Sequence, residues 1–337
     1  MKTATLLENI EICALGHYLP KKIITCEEIA KLSGLTSQEI FDNFGVLEKR
    51  IALDEHPSEM GVTAAKNTLQ KSAVTPQQID FIIYAGNGLH DYQFWSPAAK
   101  IQAEIKADNA FVFDINNGCT SPILGLFLAA KLLENTNYSY GLLVASDTLS
   151  KFIDYNNPNS LPFFSKGDGA SAVLLKKGGV KNRLISFALH SDGNYVDLNK
   201  IVVGGTKAAQ LNHKKQDHCV HVDKTHKNMV KLITQDLVEN YVEVVKQALN
   251  SANLKLEQIS YFLFNQVSIG VINRVLETLK ITQNKTYATR EKFGHMTIDC
   301  LFALEHCLSE SKLKTGDYVV MSSMGVGFHW NACVIKI

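Results

Sequence analysis

The sequence predicts an α/β fold, a mostly parallel sheet with helices on both faces. First, short apolar runs recur at 79–85 (IDFIIYA), 140–145 (YGLLVA) and 261–264 (YFLF), a length suited to buried strands. Second, segments with apolar residues at helical spacing separate these runs, and such alternation argues for strands covered by helices on both sides. Third, the second half repeats the order of the first loosely, which is compatible with internal duplication. At 337 residues the chain exceeds one ordinary core, so two domains or two similar halves are expected.

Taken in order, residues 10–15 read as a first strand ending at Gly16, with a turn over 17–20. Thr25 caps a helix over 27–32, and Thr36-Ser37-Gln38-Glu39 is a capping-box pattern ahead of a second short helix. Residues 58–72 form an amphipathic helix with Met60, Val62, Ala65 and Leu69 on one side. After the strand at 79–85 comes a loop, 86–97, whose Phe94 and Trp95 are available to line a cleft, and then a helix over 98–104. Residues 110–131, AFVFDINNGCTSPILGLFLAAK, begin as a buried strand and break at Asn116-Asn117-Gly118. They resume as a helix bearing Ile123, Leu124, Phe127, Leu128 and Ala130. A strand at 140–145 ends in Ser146-Asp147, and Gly167-Asp168-Gly169 is a tight turn opening a strand at 172–176, followed by 183–191. Residues 212–227 are polar and rich in His, and 229–252 is a long amphipathic helix. The remainder reads as strand 261–264, helix 269–279, helix 297–308, strand 318–321 and strand 331–337.

Hydrophobic residues make up 46% and charged residues 20%, with a formal net charge of +1. No basic block points to nucleic acid or an anionic membrane surface. The seven cysteines are scattered without a Cys-x-x-Cys pair, so neither a disulfide framework nor a zinc knuckle is suggested. No apolar run is long enough to cross a bilayer, and the N-terminus lacks a signal-peptide core. A cytoplasmic location is the simplest expectation.

Three polar sites stand at the ends of apolar strands, where open α/β sheets place ligands. Cys119 falls on the first turn of a helix, where free N–H groups and the dipole favour a thiolate; on spacing alone, a small packed thiol is the favoured explanation. Asn265-Gln266 follows YFLF directly. His295 lies between a glycine and a helix start, with Asp299 one turn along to orient the ring. Taken alone, His295 reads more readily as a helix cap with Asp299 solvated. The turn Met324-Gly325-Val326-Gly327-Phe328 can aim backbone N–H groups at an oxyanion or can be a plain hairpin. The cluster His213, His218, Cys219, His221 and His226 matches no closed zinc spacing, so no metal site is expected. Gly167-x-Gly169 lacks the third glycine of a dinucleotide fingerprint.

Together these pieces resemble the β-ketoacyl-acyl-carrier-protein synthase III branch of the thiolase superfamily, over nearly the whole chain. The likeness is carried by Gly16-His17-Tyr18-Leu19-Pro20, by Gly45-Val46-Leu47-Glu48-Lys49-Arg50-Ile51, and by FDINNGCTSPILGL around Cys119. It continues in Ser146-Asp147, Gly167-Asp168-Gly169-Ala170, Ser191-Asp192-Gly193 and the tail from Gly325 to Trp330. The resemblance implies a thiolase-like five-layered α/β/α/β/α fold with internal duplication. Its N-terminal half, 1–178, would carry the nucleophile, and its C-terminal half, 179–337, the Asn/His pair and the glycine-rich tail. It implies a homodimer, possibly served by an acyl carrier protein, with Cys119 accepting an acyl group from a coenzyme A or carrier-protein thioester. Cys119 and Val326 would form the oxyanion hole, and Phe94, Trp95, Phe163 and Phe164 would shape the acyl pocket, although large aromatics are more often core. No resident cofactor is implied.

This sequence departs from the family pattern at two places. The family's usual His and Asn are exchanged, since the matching positions hold Asn265 and His295. Both can still donate to the thioester carbonyl of an extender in decarboxylative Claisen condensation. His295 with Asp299 also resembles the Cys-His-Asp arrangement of relatives that pass an acyl group to a hydroxyl or amine, although the Asp of those relatives aligns one position further on. In addition, the segment after Thr36-Ser37 lacks the Trp and Arg that hold a coenzyme A nucleotide, and Gly270 stands where a further Arg is usual. A non-catalytic partner subunit is the reading from a different class.

Overall fold

A computed structural model describes residues 3–208 and 218–337. Its strands are β1 (Thr3–Tyr18), β2 (Lys22–Thr25), β3 (Glu48–Ile51), β4 (Phe81–Gly86), β5 (Phe111–Asn116), β6 (Tyr140–Asp147) and β7 (Gly169–Lys177). In the second half come β8 (Arg183–Ser191), β9 (Asn199–Lys200), β10 (His221–Val222), β11 (Ile259–Phe264), β12 (Tyr318–Gly325) and β13 (His329–Lys336). The helices are α1 (Cys26–Ser33), α2 (Ser37–Phe44), α3 (Pro57–Gln70), α4 (Pro97–Ile105) and α5 (Ser121–Asn135). They continue as α6 (Met229–Lys231), α7 (Leu237–Ser251), α8 (Ile269–Leu279), α9 (Arg290–Phe293) and α10 (Asp299–Ser309). A π-helical segment, Leu232–Asp236, joins α6 to α7, so the helix expected over 229–252 is present with an irregular first part.

Local chemistry explains most boundaries. Thr25 and Thr36 close reciprocal capping boxes with Glu28 and Glu39, satisfying N–H groups that a helix start leaves orphaned. Gly34 and Gly45 end the same two helices in the left-handed conformation, at φ +74° and +65°, which a glycine adopts without strain. Pro57, Pro97 and Pro122 stand in the first turns of α3, α4 and α5, where a missing N–H loses nothing.

Nine strands form one sheet in the order β11-β12-β13-β8-β1-β7-β6-β4-β5. It is mixed rather than mostly parallel. Only β4–β5, β4–β6 and β11–β12 run parallel, and the other neighbours are antiparallel. Apolar runs buried on both faces look alike in either pairing, so the sequence pattern did not distinguish them. The first strand is also far longer than 10–15. Its beginning pairs with β8 and its end with β7, with the register shifting at Asn9, which has φ +56°. β1 therefore ties the two half-sheets together.

Packing gives five layers. α3 and α4 cover one outer face of the N-terminal half-sheet, and α7 and α8 cover the outer face of the C-terminal one. α5 and α10 lie between the half-sheets, and their Leu126, Ala130, Leu301 and Phe302 share one core with residues of β1, β4, β7, β11 and β12. The duplication is visible in the topology. β4–β6–β7 corresponds to β11–β12–β13, and an isolated parallel bridge from Phe262 to Thr286 stands beside β11 as β5 stands beside β4. One expectation fails in detail: β5 is an edge strand with Phe111 exposed, not a buried one. No helix among the described residues is long and apolar enough to cross a membrane.

Thr25→Ala removes the reciprocal cap and should lower unfolding free energy by about 1 kcal/mol. In urea titration this would appear as a lower midpoint at unchanged slope.

Candidate active site

The break after β5 places Cys119 just ahead of α5, with Gly118 at φ +57°. A Cβ on Gly118 would press on the Val326 carbonyl oxygen at 2.7 Å, and one on Gly325 would meet the Cys119 nitrogen at 2.7 Å. The Cys119 turn of the first half and the glycine turn of the second are therefore in backbone contact. The turn after β12 is a hairpin to β13 and also one wall of the site.

Cys119 forms part of a cavity of about 540 Å³, within the range of small-molecule sites. Leu89, Leu149, Phe163, Val220, Val267 and Phe328 give it apolar walls. Of the four aromatics expected to shape it, Phe163 is in the lining. Phe164 lies behind it in the cluster around α1 and α2, edge-on to Tyr155 at 4.9 Å. Phe94 is fully exposed at φ +54°, and Trp95 stacks edge-on against Tyr92, so neither reaches the cavity. The loop at 86–97 contributes through Asn87, Gly88 and Leu89 instead.

Two buried groups converge on the sulfur, which belongs to a residue only 7% exposed, and a third stands behind one of them. The Lys166 ammonium donates to Sγ at 3.1 Å, and His295 hydrogen-bonds to Cys119 as well. His295 Nδ1–H donates to Asp299 Oδ2 at 2.5 Å, which leaves Nε2 for the thiol. Asp299 is held in turn: its carboxylate accepts from the Gln266 N–H at 2.6 Å and the Met296 N–H at 2.9 Å. Burial alone would push the Cys119 thiol up, but the Lys166 charge and then the His295 hydrogen bond outweigh it and bring it down to about 7. For His295, burial and Lys166 favour the neutral ring. Asp299 overcomes both, with help from Cys119, and the imidazole is raised above its ordinary value.

Lys166 is the functional residue that reading the sequence missed. It stands just before the Gly167-Asp168-Gly169 turn, and its residue is 5% exposed. Two supports fix it. The backbone of 165–167 pairs with His295, the His295 N–H donating to the Ser165 carbonyl at 2.7 Å and the Gly167 N–H to the His295 carbonyl at 3.0 Å. Behind it, the fully buried Lys49 ammonium donates to the carbonyls of Phe164 and Lys166, each at 2.7 Å. Burial drives Lys49 down to about 7, against the pull of Asp168, and burial drives Asp168 up to about 7, with Asp147 adding to it. Nothing local in the sequence marks Lys166: it stands three residues before β7, beside a glycine turn, where a lysine is ordinarily solvated because lysine is almost never buried unless paired.

Asn265, expected as a second donor, is absent from the cavity lining. It is fully buried behind the glycine turn, its Nδ2 donating to the Met324 carbonyl at 2.7 Å and its Oδ1 accepting from the Met324 N–H at 3.1 Å and Tyr241 at 2.8 Å. It positions the turn and does not line the cavity. Of the His-rich segment, His213 lies outside the described residues. Among the described residues no group of three or more His, Cys, Asp or Glu could hold a metal.

Comparison with known proteins places this geometry. The family model for 3-oxoacyl-[acyl-carrier-protein] synthase III matches residues 113–193, and its C-terminal counterpart matches 249–337. A β-ketoacyl-[acyl-carrier-protein] synthase III from Natranaerobius thermophilus is 31% identical, covering 98% of this chain and 100% of its own. The chain belongs to the 3-oxoacyl-[acyl-carrier-protein] synthase III family. A relative from Aquifex aeolicus is 26% identical over 97% of this chain and 99% of its own. The crystal structure of 3-oxoacyl-[acyl-carrier-protein] synthase III from that organism superposes with a TM-score of 0.85 at 25% identity, covering 97% of this chain and all of the other. The priming β-ketosynthase of the R1128 polyketide pathway shares the fold, with a TM-score of 0.87 at 20% identity, over 98% of this chain and 97% of its own. This member of the synthase III family thus carries a lysine against the Cys119 sulfur and a carboxylate behind the His295 imidazole.

Asp299→Asn should lower the His295 pKa below its ordinary value, because burial and the Lys166 charge both disfavour the imidazolium once the carboxylate is gone. An NMR titration of the ring protons checks the direction, and an unchanged or raised value would remove Asp299 from the ion pair. Gly167→Ala should abolish activity in a folded protein, since its Cβ would overlap the Phe293 carbonyl oxygen and part the strand pairing that aligns Lys166 with His295.

Proposed function

We propose that the chain is a ketoacyl synthase III-like enzyme that takes an acyl group from a coenzyme A or carrier-protein thioester onto Cys119 Sγ. The acyl-enzyme then condenses with the carbon nucleophile released when a malonyl-type thioester loses CO2, in fatty-acid or specialised-metabolite assembly. The observation that carries this reading is the buried thiol in an apolar cavity of about 540 Å³, paired with an ammonium and an imidazole. An acyl chain suits the apolar walls, and a partly ionised thiol suits nucleophilic attack. The Cys119 and Val326 N–H groups, brought together by the approach of Gly118 to Val326 and of Gly325 to Cys119, are the proposed oxyanion donors. The thioester is substrate, and no step needs a resident cofactor.

One observation favours a second acceptor chemistry, transfer to a hydroxyl or amine. His295 is backed by Asp299 at 2.5 Å, the setting of a general base, while the amide of Asn265 is committed to the Met324 backbone and is absent from the cavity lining. Condensation in this site would rely on His295 and Lys166 for the donors that a His/Asn pair supplies. A scaffold role is disfavoured, since a packing thiol needs neither partner. We further propose a cytoplasmic homodimer: the free thiols of all seven cysteines suit a reducing compartment, and the exposed Phe111 on the open edge of β5 suits a second copy.

Intact mass spectrometry with acyl-CoA and acyl-carrier donors should show an acyl adduct that Cys119→Ala abolishes; an adduct that survives the substitution, or none from any donor, would sink the acyl–Cys119 reading. Carboxyl-labelled malonyl thioester should then release CO2. Acylation of an alcohol or amine without CO2 would select the second chemistry. His295→Ala should slow turnover by roughly 100-fold or more, and Asp299→Ala by less.

A further inference from the structure

The mechanism carried over from the family has no use for Lys166, yet its ammonium donates to the reacting sulfur at 3.1 Å and the residue is 5% exposed. Such a cation is tolerated in a protein interior only against a compensating charge. The carboxylates nearby are engaged elsewhere. Asp147, at the end of β6, accepts from the Thr297 N–H at 3.2 Å. Asp168 accepts from Ala52 and from Ser150, and Asp299 accepts from His295, Gln266 and Met296. Lys49 faces the same backbone from β3 and adds positive charge. Arg290 lies on the cavity wall with its guanidinium turned to the carbonyls of Phe44 and Val267. Asp147 feels the Lys166 charge as well, but the atom that accepts directly from the Lys166 ammonium is the Cys119 sulfur, at 3.1 Å.

We propose that Lys166 is a catalytic residue, holding Cys119 as the thiolate of a buried ion pair and then giving its proton to the thiolate that leaves the acyl donor. This rests on the reading of Cys119 as acyl acceptor. In the first step the Sγ lone pair forms a C–S bond to the acyl carbon. The C–S bond of the donor breaks, and the donor sulfur departs with that electron pair. At this moment Lys166 has lost its counter-charge, so an Nζ proton moves to the departing sulfur. The donor leaves as a neutral thiol and Lys166 stays as a neutral amine. When the acyl group is passed on, Sγ recovers its electron pair. Lys166 regains a proton from the acceptor's O–H or N–H in acyl transfer, or from solvent after condensation.

The test begins without an acyl donor. Iodoacetamide alkylation of wild type, read by mass on the Cys119 peptide, should follow a pH profile inflecting near about 7. Lys166→Met leaves burial unopposed by the ammonium, so its inflection should rise, and its rate near pH 6 should fall by at least about tenfold. A wild-type profile in Lys166→Met overturns the ion pair, as does a larger displacement in His295→Gln than in Lys166→Met. Should Lys166→Met fail to fold, Lys166→Gln replaces it. In either event, absorbance near about 240 nm in wild type, less that of Cys119→Ser, must show thiolate below about pH 8; its absence overturns the pair. For the proton step, acyl loading is compared at a pH where both proteins are fully ionised. Slower loading in Lys166→Met supports it, and equal loading removes it. Lys166-dependent alkylation without acyl loading from any donor would instead defeat the acyl–Cys119 reading and leave the ion pair standing.

Discussion

The site depends on a short stretch of backbone pairing between chain segments more than a hundred residues apart. Ser165 and Gly167 grip His295 from both sides, so the side chains of Lys166 and His295 emerge next to each other toward Cys119. Everything else keeps this register. Lys49 ties down the carbonyls of Phe164 and Lys166. Asp147 accepts from the Thr297 N–H and so connects β6 to the approach of α10. The contact of Gly118 with Val326, and of Gly325 with Cys119, closes the opposite wall. Side chains placed by packed backbone rather than by mobile loops hold the tolerances that catalysis needs.

The duplicated fold explains why two distant segments can meet so closely. α5 and α10 occupy equivalent places between the half-sheets and share one core, and both begin at the same end of it. Cys119 precedes one helix and the His-Asp pair opens the other. Corresponding strand-turn-helix units thus carry different side chains, a thiol in the first half and an imidazole in the second. β1, bonded to both β7 and β8, keeps the copies from sliding past each other, since a slip would reverse which of its side chains face the core.

Much of this was legible in the sequence because local rules and global fold agree. The capping threonines Thr25 and Thr36 and the apolar runs at 79–85, 140–145 and 261–264 lie where the structure has its helix starts and strands. The Cys119 turn and the His295–Asp299 spacing were legible too, since each is contained within one turn of chain. What escaped was set by tertiary contact. Parallel and antiparallel pairing share one apolar pattern. Phe94 and Trp95 looked like cleft residues, but the left-handed backbone at Phe94 sends the ring to solvent. Asn265 follows a strand end as a site residue should, yet Met324 from the neighbouring strand claims its amide. Lys166 was invisible because a lysine beside a glycine turn reads as solvated until its partner arrives from another part of the fold.

Magnitudes decide which form the sulfur and ammonium take. At 3.1 Å and an effective dielectric of about 20, opposite unit charges attract by about 5 kcal/mol. Removing each ion from water costs several kcal/mol even after relaxation. The two-body balance is therefore near zero, and a thiol beside a neutral amine would be equally acceptable to the protein. His295 breaks the tie. Against burial, Asp299 raises its ring above the ordinary imidazole value, and in the charged form it offers the sulfur a second charge-assisted hydrogen bond, a kind roughly twice as strong as a neutral one. Asp299 is in turn held by two backbone N–H groups, so its charge has support independent of the sulfur. A thiolate poised near neutrality is the outcome of these terms together. The proposed acylation would upset them by removing the negative charge on the sulfur, which would give the site a reason to move a proton.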